Sequence, residues 1–147
     1  MLEKGPILLV EDDQHDAQTI ISALREVKVP NEVIVFSRAR EAHDYLLKTA
    51  DKPLIILCDL RLPEMDGLRF RRMISENEQL EKKSIPFVFF TGVVTQSLVD
   101  KAYKMDIQGF FEKPANYQDL KDCLLVMMLY WRRSYHPTPP EKVVEVK

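Results

Sequence analysis

Cysteine is scarce in this chain. Cys58 and Cys123 are the only two among 147 residues, they have no CxxC spacing, and the three histidines are scattered rather than grouped. Neither a disulfide framework nor a cysteine–histidine zinc site can be written from that inventory, and a reducing compartment fits best. Charge of one sign is lacking as well: the formal net charge is -2, and lysines and arginines are interspersed with acids along most of the chain. Nothing in that balance calls for nucleic acid as a partner. Long apolar runs are missing too. Leu124 to Trp131, the most apolar segment, is far below membrane-spanning length, and Met1 to Val10 holds too short a run for a secretory leader. With no internal repeat and no low-complexity stretch, the expectation is a soluble, cytoplasmic chain without a membrane partner.

What is present is ordinary in amount and ordered in place. A chain that is 46% hydrophobic and 30% charged can form one globular domain with a proper core. It is organised around Leu54 to Gly67, LIILCDLRLPEMDG. The continuous apolar run Leu54 to Cys58, bracketed by Pro53 and Pro63, fits a parallel strand covered on both faces. Asp59 ends it, either as a cap for the turn before Pro63 or as a side chain delivered to a reactive edge.

The same grammar recurs along the chain. Pro6 to Val10 (PILLV) stops at Glu11, Asp12 and Asp13; Glu32 to Phe36 (EVIVF) is a short strand; Pro86 to Thr91 (PFVFFT) finishes on a hydroxyl; and Gly109 to Glu112 runs into Lys113 and Pro114. Between these lie segments with helical three-and-four spacing: Gln14 to Val27, Ala39 to Leu47, Gly67 to Ser75, Ser97 to Met105 and Tyr117 to Ser134. The charged stretch Glu76 to Lys83 reads as a solvated helix end and loop. Asp13 reads as a helix cap, His15, His43 and His136 as surface residues, and Cys58 as a small buried apolar residue. Strands alternating with helices predict an α/β fold, an open doubly wound parallel sheet of five strands with five helices. In such sheets ligands bind beyond the carboxyl ends of the strands. Glu11, Asp12, Asp59, Thr91 and Lys113 all follow strand ends, so they should converge there.

That set has a definite chemistry. A carboxylate and a phosphorylated donor repel each other, and the repulsion must be relieved before an oxygen can attack phosphorus. Mg2+ is held by one or two carboxylates together with phosphate oxygens and water, which an acidic pair facing a third acid provides. A fixed ammonium from Lys113 and the Thr91 hydroxyl can bind phosphoryl oxygens as charge shifts. Asp59 would then become an acyl phosphate.

The motifs LLVEDD (Leu8 to Asp13), CDLRLPEMDG (Cys58 to Gly67), FFTG (Phe89 to Gly92) and EKPA (Glu112 to Ala115) together resemble the response regulator receiver domain of two-component signalling, across residues 5–134. The resemblance implies a flavodoxin-like sheet with strand order 2-1-3-4-5. It implies Asp59 as phosphoacceptor, Glu11 and Asp12 as metal-binding acids, the Arg61 carbonyl as a further Mg2+ ligand, and Lys113 as the family's lysine. The backbone amides of Leu60 or Arg61 and of Gly92 would meet the phosphoryl group. Thr91 would be the switch hydroxyl and Phe110 the switch aromatic, with a plain core phenylalanine as the alternative. The implied donor is a sensor histidine kinase or a phosphotransfer protein, and the implied output is the face made by the Ser97–Met105 helix, the fifth strand and the last helix.

Residues 135–147 are expected to be a tail, with no output domain. Leu124 to Trp131 is apolar all round, so its second stripe wants a cover, either a homodimer through the last helix or the tail folding back through Val143, Val144 and Val146. The aromatic, basic helix end at Tyr130 to Arg133 is similar to receivers that partner phytochrome-type kinases. A Mg2+-dependent phosphohydrolase is the enzyme alternative. Its second aspartate would stand at position 61, where this chain has arginine. The remaining rival is a receiver-shaped binding module that is never phosphorylated. Such modules lack one of the site residues, and this chain has them all.

Overall fold

The computed structural model describes residues 5–134. Five parallel strands alternate with helices: β1 (Ile7–Val10), α1 (Gln14–Glu26), β2 (Val33–Phe36), α2 (Ala39–Lys48), β3 (Ile55–Cys58), α3 (Gly67–Glu76), α4 (Glu78–Lys83), β4 (Phe87–Thr91), α5 (Gln96–Tyr103), β5 (Gly109–Glu112) and α6 (Tyr117–Arg133). The strands lie in the order β2-β1-β3-β4-β5. In register, Val10 stands beside Cys58 and Thr91 beside Glu112, so the strand ends finish level.

Side chains alternate across each strand, which splits one apolar run between two cores. Leu8, Val10, Ile56, Cys58, Phe87 and Phe89 face α2, α3, α4 and α5. Ile7, Leu9, Ile55, Leu57, Val88 and Phe90 face α1 and α6. β1, β3 and β4 are therefore buried on both sides, while the edge strands β2 and β5 are half covered. Each buried phenylalanine or leucine contributes roughly 1.5–3 kcal/mol against leaving it in water.

Helix starts are fixed by side chains. Asp13, Asp66, Asn77, Thr95 and Asn116 each accept the backbone N–H three residues on, satisfying donors that the first turn leaves open. The cap expected of Asp13 is there.

Two expectations need correction. Glu76 does end a helix, α3, but Glu78–Lys83, expected as loop, forms α4, making six helices among the described residues instead of five. Leu80 is buried against the α2–α3 side and Asn77 caps the new helix, whereas Ser84 in the left-handed region ends it. One apolar residue among charges gives no readable period, so only packing reveals the helix. His43 is half-buried rather than a surface residue, while His15 is exposed; His136 and the tail with Val143, Val144 and Val146 lie outside the described residues. No helix of the described residues is long and apolar enough to cross a membrane.

Candidate functional site

The site lies where β1, β3, β4 and β5 end. β1 delivers Glu11, whose backbone N–H is held by the Phe36 carbonyl at 2.9 Å, and β3 delivers Asp59, whose N–H is held by the Val10 carbonyl at 3.0 Å. These ladder bonds extend the sheet by one residue, so both acids are placed by rigid strands. Carboxylate oxygens of Glu11, Asp12 and Asp59 lie within 4.8 Å of one another. β5 delivers Lys113, its N–H bonded to the Thr91 carbonyl at 2.8 Å.

Lys113 is the cation of this acidic edge. Its Nζ donates to Glu11 Oε1, to Asp59 Oδ2 at 3.0 Å and to Asp16 Oδ2 at 3.1 Å. Burial alone would lower the lysine's affinity for its proton; bonds to Glu11 and Asp59 outweigh that and hold it above the ordinary lysine value. Glu11 is 3% exposed. Its burial pushes the carboxyl up to about 7 although Lys113 pulls it down. Three carboxylates thus share one ammonium, with Asp12 beside two of them, so acids outnumber the cation at this edge. Three oxygen donors close together, with neither sulfur nor imidazole among them, fit a hard divalent cation such as Mg2+.

The remaining expected residues fall around this centre. Leu60 is buried, Arg61 is exposed, and the Arg61 N–H donates to Asp59 Oδ1 at 3.4 Å. Thr91 is fully buried at the end of β4, and its hydroxyl oxygen accepts the Val93 N–H at 3.2 Å. Gly92 faces open space, so an approach from solvent is unobstructed there. Phe110 is half-buried, tilted against Phe89 with ring centroids 5.9 Å apart. It packs against the core on the α2–α5 side, so the core-phenylalanine reading describes its present contacts. Cys58 is buried beside the site, and desolvation raises its thiol well above the ordinary value, which leaves it protonated and inert.

The roles of Gly67 and Asp16 at the site, and of Arg71 at the opposite edge of the sheet, were not legible in the sequence. Gly67 starts α3 so close to the end of β3 that an added Cβ would stand 2.4 Å from the Asp59 carbonyl oxygen. Its N–H also donates to the Leu60 carbonyl at 2.8 Å, closing the loop that follows Asp59. Asp16 reaches Lys113 from α1, and a carboxylate in the first turn of a helix carries no local mark of such a role. Arg71 crosses from α3 to the loop after α5, donating to the carbonyls of Met105 and Asp106, each at 3.0 Å.

Fold and site together define a doubly wound α/β protein with an acidic, cation-ready edge closed by a lysine. The chain belongs to the response regulator receiver domain family, which matches residues 7–125. It is 30% identical over 129 residues to the probable methanogenesis regulatory protein FilR2 of Methanothrix harundinacea, covering 85% of this chain and 82% of that one. It is 28% identical over 130 residues to the response regulator Rcp1 of Synechocystis, covering 85% and 87%; the Mn2+-bound structure of Rcp1 superposes with a TM-score of 0.79 over 91% of this chain and 99% of the other. The phosphorylated cyanobacterial phytochrome response regulator RcpA superposes with a TM-score of 0.83 at 27% identity, covering 92% of this chain and all of the other.

Proposed function

We propose that this chain is a phosphorylation switch of two-component signalling that accepts a phosphoryl group on Asp59. The observation that carries the reading is the convergence of Glu11, Asp12, Asp59 and Lys113 on one edge. The donor is the phosphohistidine of a sensor kinase or phosphotransfer protein in the cytoplasm. An Asp59 carboxylate oxygen attacks phosphorus in line. The new P–O bond forms as the P–N bond breaks, and the electron pair leaves with the imidazole nitrogen.

Glu11, Asp12, Asp59 and the Arg61 carbonyl would hold Mg2+. That ion supplies charge neutralisation between the two anions and alignment of the phosphoryl oxygens. Lys113 binds one phosphoryl oxygen, and the amides of Leu60 or Arg61 and of Gly92 bind others. The Thr91 hydroxyl exchanges its present Val93 partner for the phosphoryl group, and Phe110 turns as Thr91 moves. The surface formed by α5, β5 and α6 changes with them and is the output. No other chemistry is assigned: the chain serves its own phosphorylation and dephosphorylation.

The phytochrome response regulator RcpA and the Mn2+-bound Rcp1 support this reading and favour a phytochrome-type kinase as donor. A homodimer through α6 is part of the proposal. Leu124, Met127 and Met128 are buried on α1, whereas Leu125, Val126 and Tyr130 remain exposed, Val126 by 66%. Such a stripe is a candidate partner surface.

Phosphorylation by a small acyl phosphate, read by intact mass with and without Mg2+, tests the switch. Uptake is expected in the wild type with Mg2+ and lost in Asp59→Asn or without the ion. No uptake under any condition would leave a receiver-shaped binding module. Light scattering of the wild type and Val126→Arg tests the dimer: a wild-type monomer would remove it.

A further inference from the structure

Lys113 meets a third carboxylate that belongs to no strand end. Asp16 stands in the first turn of α1, its side chain 43% exposed, with Oδ2 3.1 Å from Lys113 Nζ. Its backbone N–H is bound by Asp13 Oδ1 at 2.9 Å, so the turn that presents it is fixed. A lysine ammonium has three N–H donors. Glu11, Asp59 and Asp16 match that number.

The three acceptors differ in what phosphorylation does to them. Asp59 gives up its carboxylate charge when its oxygen bonds to phosphorus, and Glu11 shares the tight cluster with Asp12 and Asp59. Asp16 is outside that cluster and takes no part in bond making. While Asp59 passes from carboxylate to acyl phosphate and a phosphoryl oxygen takes its place as a partner, the flexible four-carbon stem of Lys113 leaves its ammonium room to move. Its side chain borders a groove of about 290 Å³ that is also lined by His15, Asp16, Thr19 and Gly92.

We propose that Asp16 is the positioning residue for Lys113. It anchors the ammonium from the α1 side, so that Lys113 stays at the site while Asp59 passes from carboxylate to acyl phosphate. This rests on Asp59 being the phosphoryl acceptor. Asp16 exchanges no proton and forms no bond in the step. Removing its charge also eases the approach of an anionic donor. That second effect alters the half-saturating donor concentration and fades with salt. Loss of positioning lowers the maximal rate at every salt concentration.

The test uses the full chain as wild type, Asp16→Ala and Asp16→Asn. Proton exchange of the Lys113 ammonium, followed by nitrogen-detected NMR without metal or donor, is expected to quicken in Asp16→Ala by about fivefold or more, as one of three acceptors is gone. With an acyl phosphate donor and Mg2+, the maximal phosphorylation rate should fall about 3- to 10-fold in Asp16→Ala, because a displaced charge organises the transfer less well. Asp16→Asn, which retains an acceptor oxygen, should fall less, and half-saturation should stay within about twofold at high salt. An unchanged maximal rate, whatever the ammonium exchange shows, would overturn the role of Asp16. Absence of phosphorylation in the wild type would instead overturn the switch reading and, with it, the transfer role, and that result is distinguished by the wild-type arm alone.

Discussion

The two edges of the sheet use the same chemistry in opposite ways. At the amino edge, cationic and amide side chains meet backbone carbonyls and a backbone N–H. Arg71 binds the carbonyls of Met105 and Asp106 and lies over the Phe87 ring, Gln108 accepts the Phe87 N–H, and Lys83 caps α2 through the carbonyls of Leu46 and Thr49. At the carboxyl edge, Glu11, Asp16 and Asp59 share the one ammonium of Lys113, and Asp12 stands close to Glu11 and Asp59. The mismatch leaves negative charge that a cation and a phosphoryl group can rearrange. Bonds close the amino edge, and unmatched acids leave the carboxyl edge open to the chemistry proposed for it.

Variants can break this contrast, beginning with the residue that makes the reactive edge depend on packing. Gly67→Ala places a methyl against the Asp59 backbone, and overpacking against backbone is expected to cost about 3 kcal/mol in urea unfolding. It should also slow phosphoryl uptake, because the loop after Asp59 must shift; normal stability would show that α3 can retreat freely. Arg71→Ala removes two charge-assisted hydrogen bonds at the amino edge. A loss of about 2 kcal/mol is expected, with phosphoryl uptake within about twofold of wild type. Slowed uptake at unchanged stability would mean that the two edges are coupled.

Metal binding sharpens the contrast from the other side. Mg2+ at ten times its dissociation constant should stabilise the wild type by about 1.4 kcal/mol, read as a higher Tm. Asp12→Asn should lose that shift while Arg71→Lys keeps it. The smallest effect concerns water at the reactive edge. Arg61 and Val93 lie two residues past Asp59 and Thr91, a long cation and an apolar residue that would shield a phosphoryl group on Asp59 from water. Arg61→Asn combined with Val93→Glu should hasten its loss by about threefold, under 1 kcal/mol in barrier height. Equal phosphoryl lifetimes in the double variant and the wild type would sink the shielding idea.

Much of the reactive edge was legible because its signals are local. An apolar run that stops at a charge marks both the strand and the residue it delivers, and Glu11, Asp59, Thr91 and Lys113 were each found that way. The amino edge was opaque for the converse reason. Arg71 sits in a helix of ordinary amphipathic pattern, and its carbonyl partners are 34 and 35 residues away. Leu80 gave no period among its charged neighbours, so α4 passed for a loop.

Apart from α4, the sequence by itself determined which segments become strands and helices and which residues end the strands, because burial periodicity is written in neighbouring residues. Resemblance supplied the strand order; pairing in the tertiary structure realises it, since a parallel ladder joins segments that carry no local record of one another. The tertiary structure also decided which apolar stripe of α6 turns inward and which acids share Lys113. Those outcomes depend on distances between elements, and such distances exist only once the sheet has aligned its strand ends.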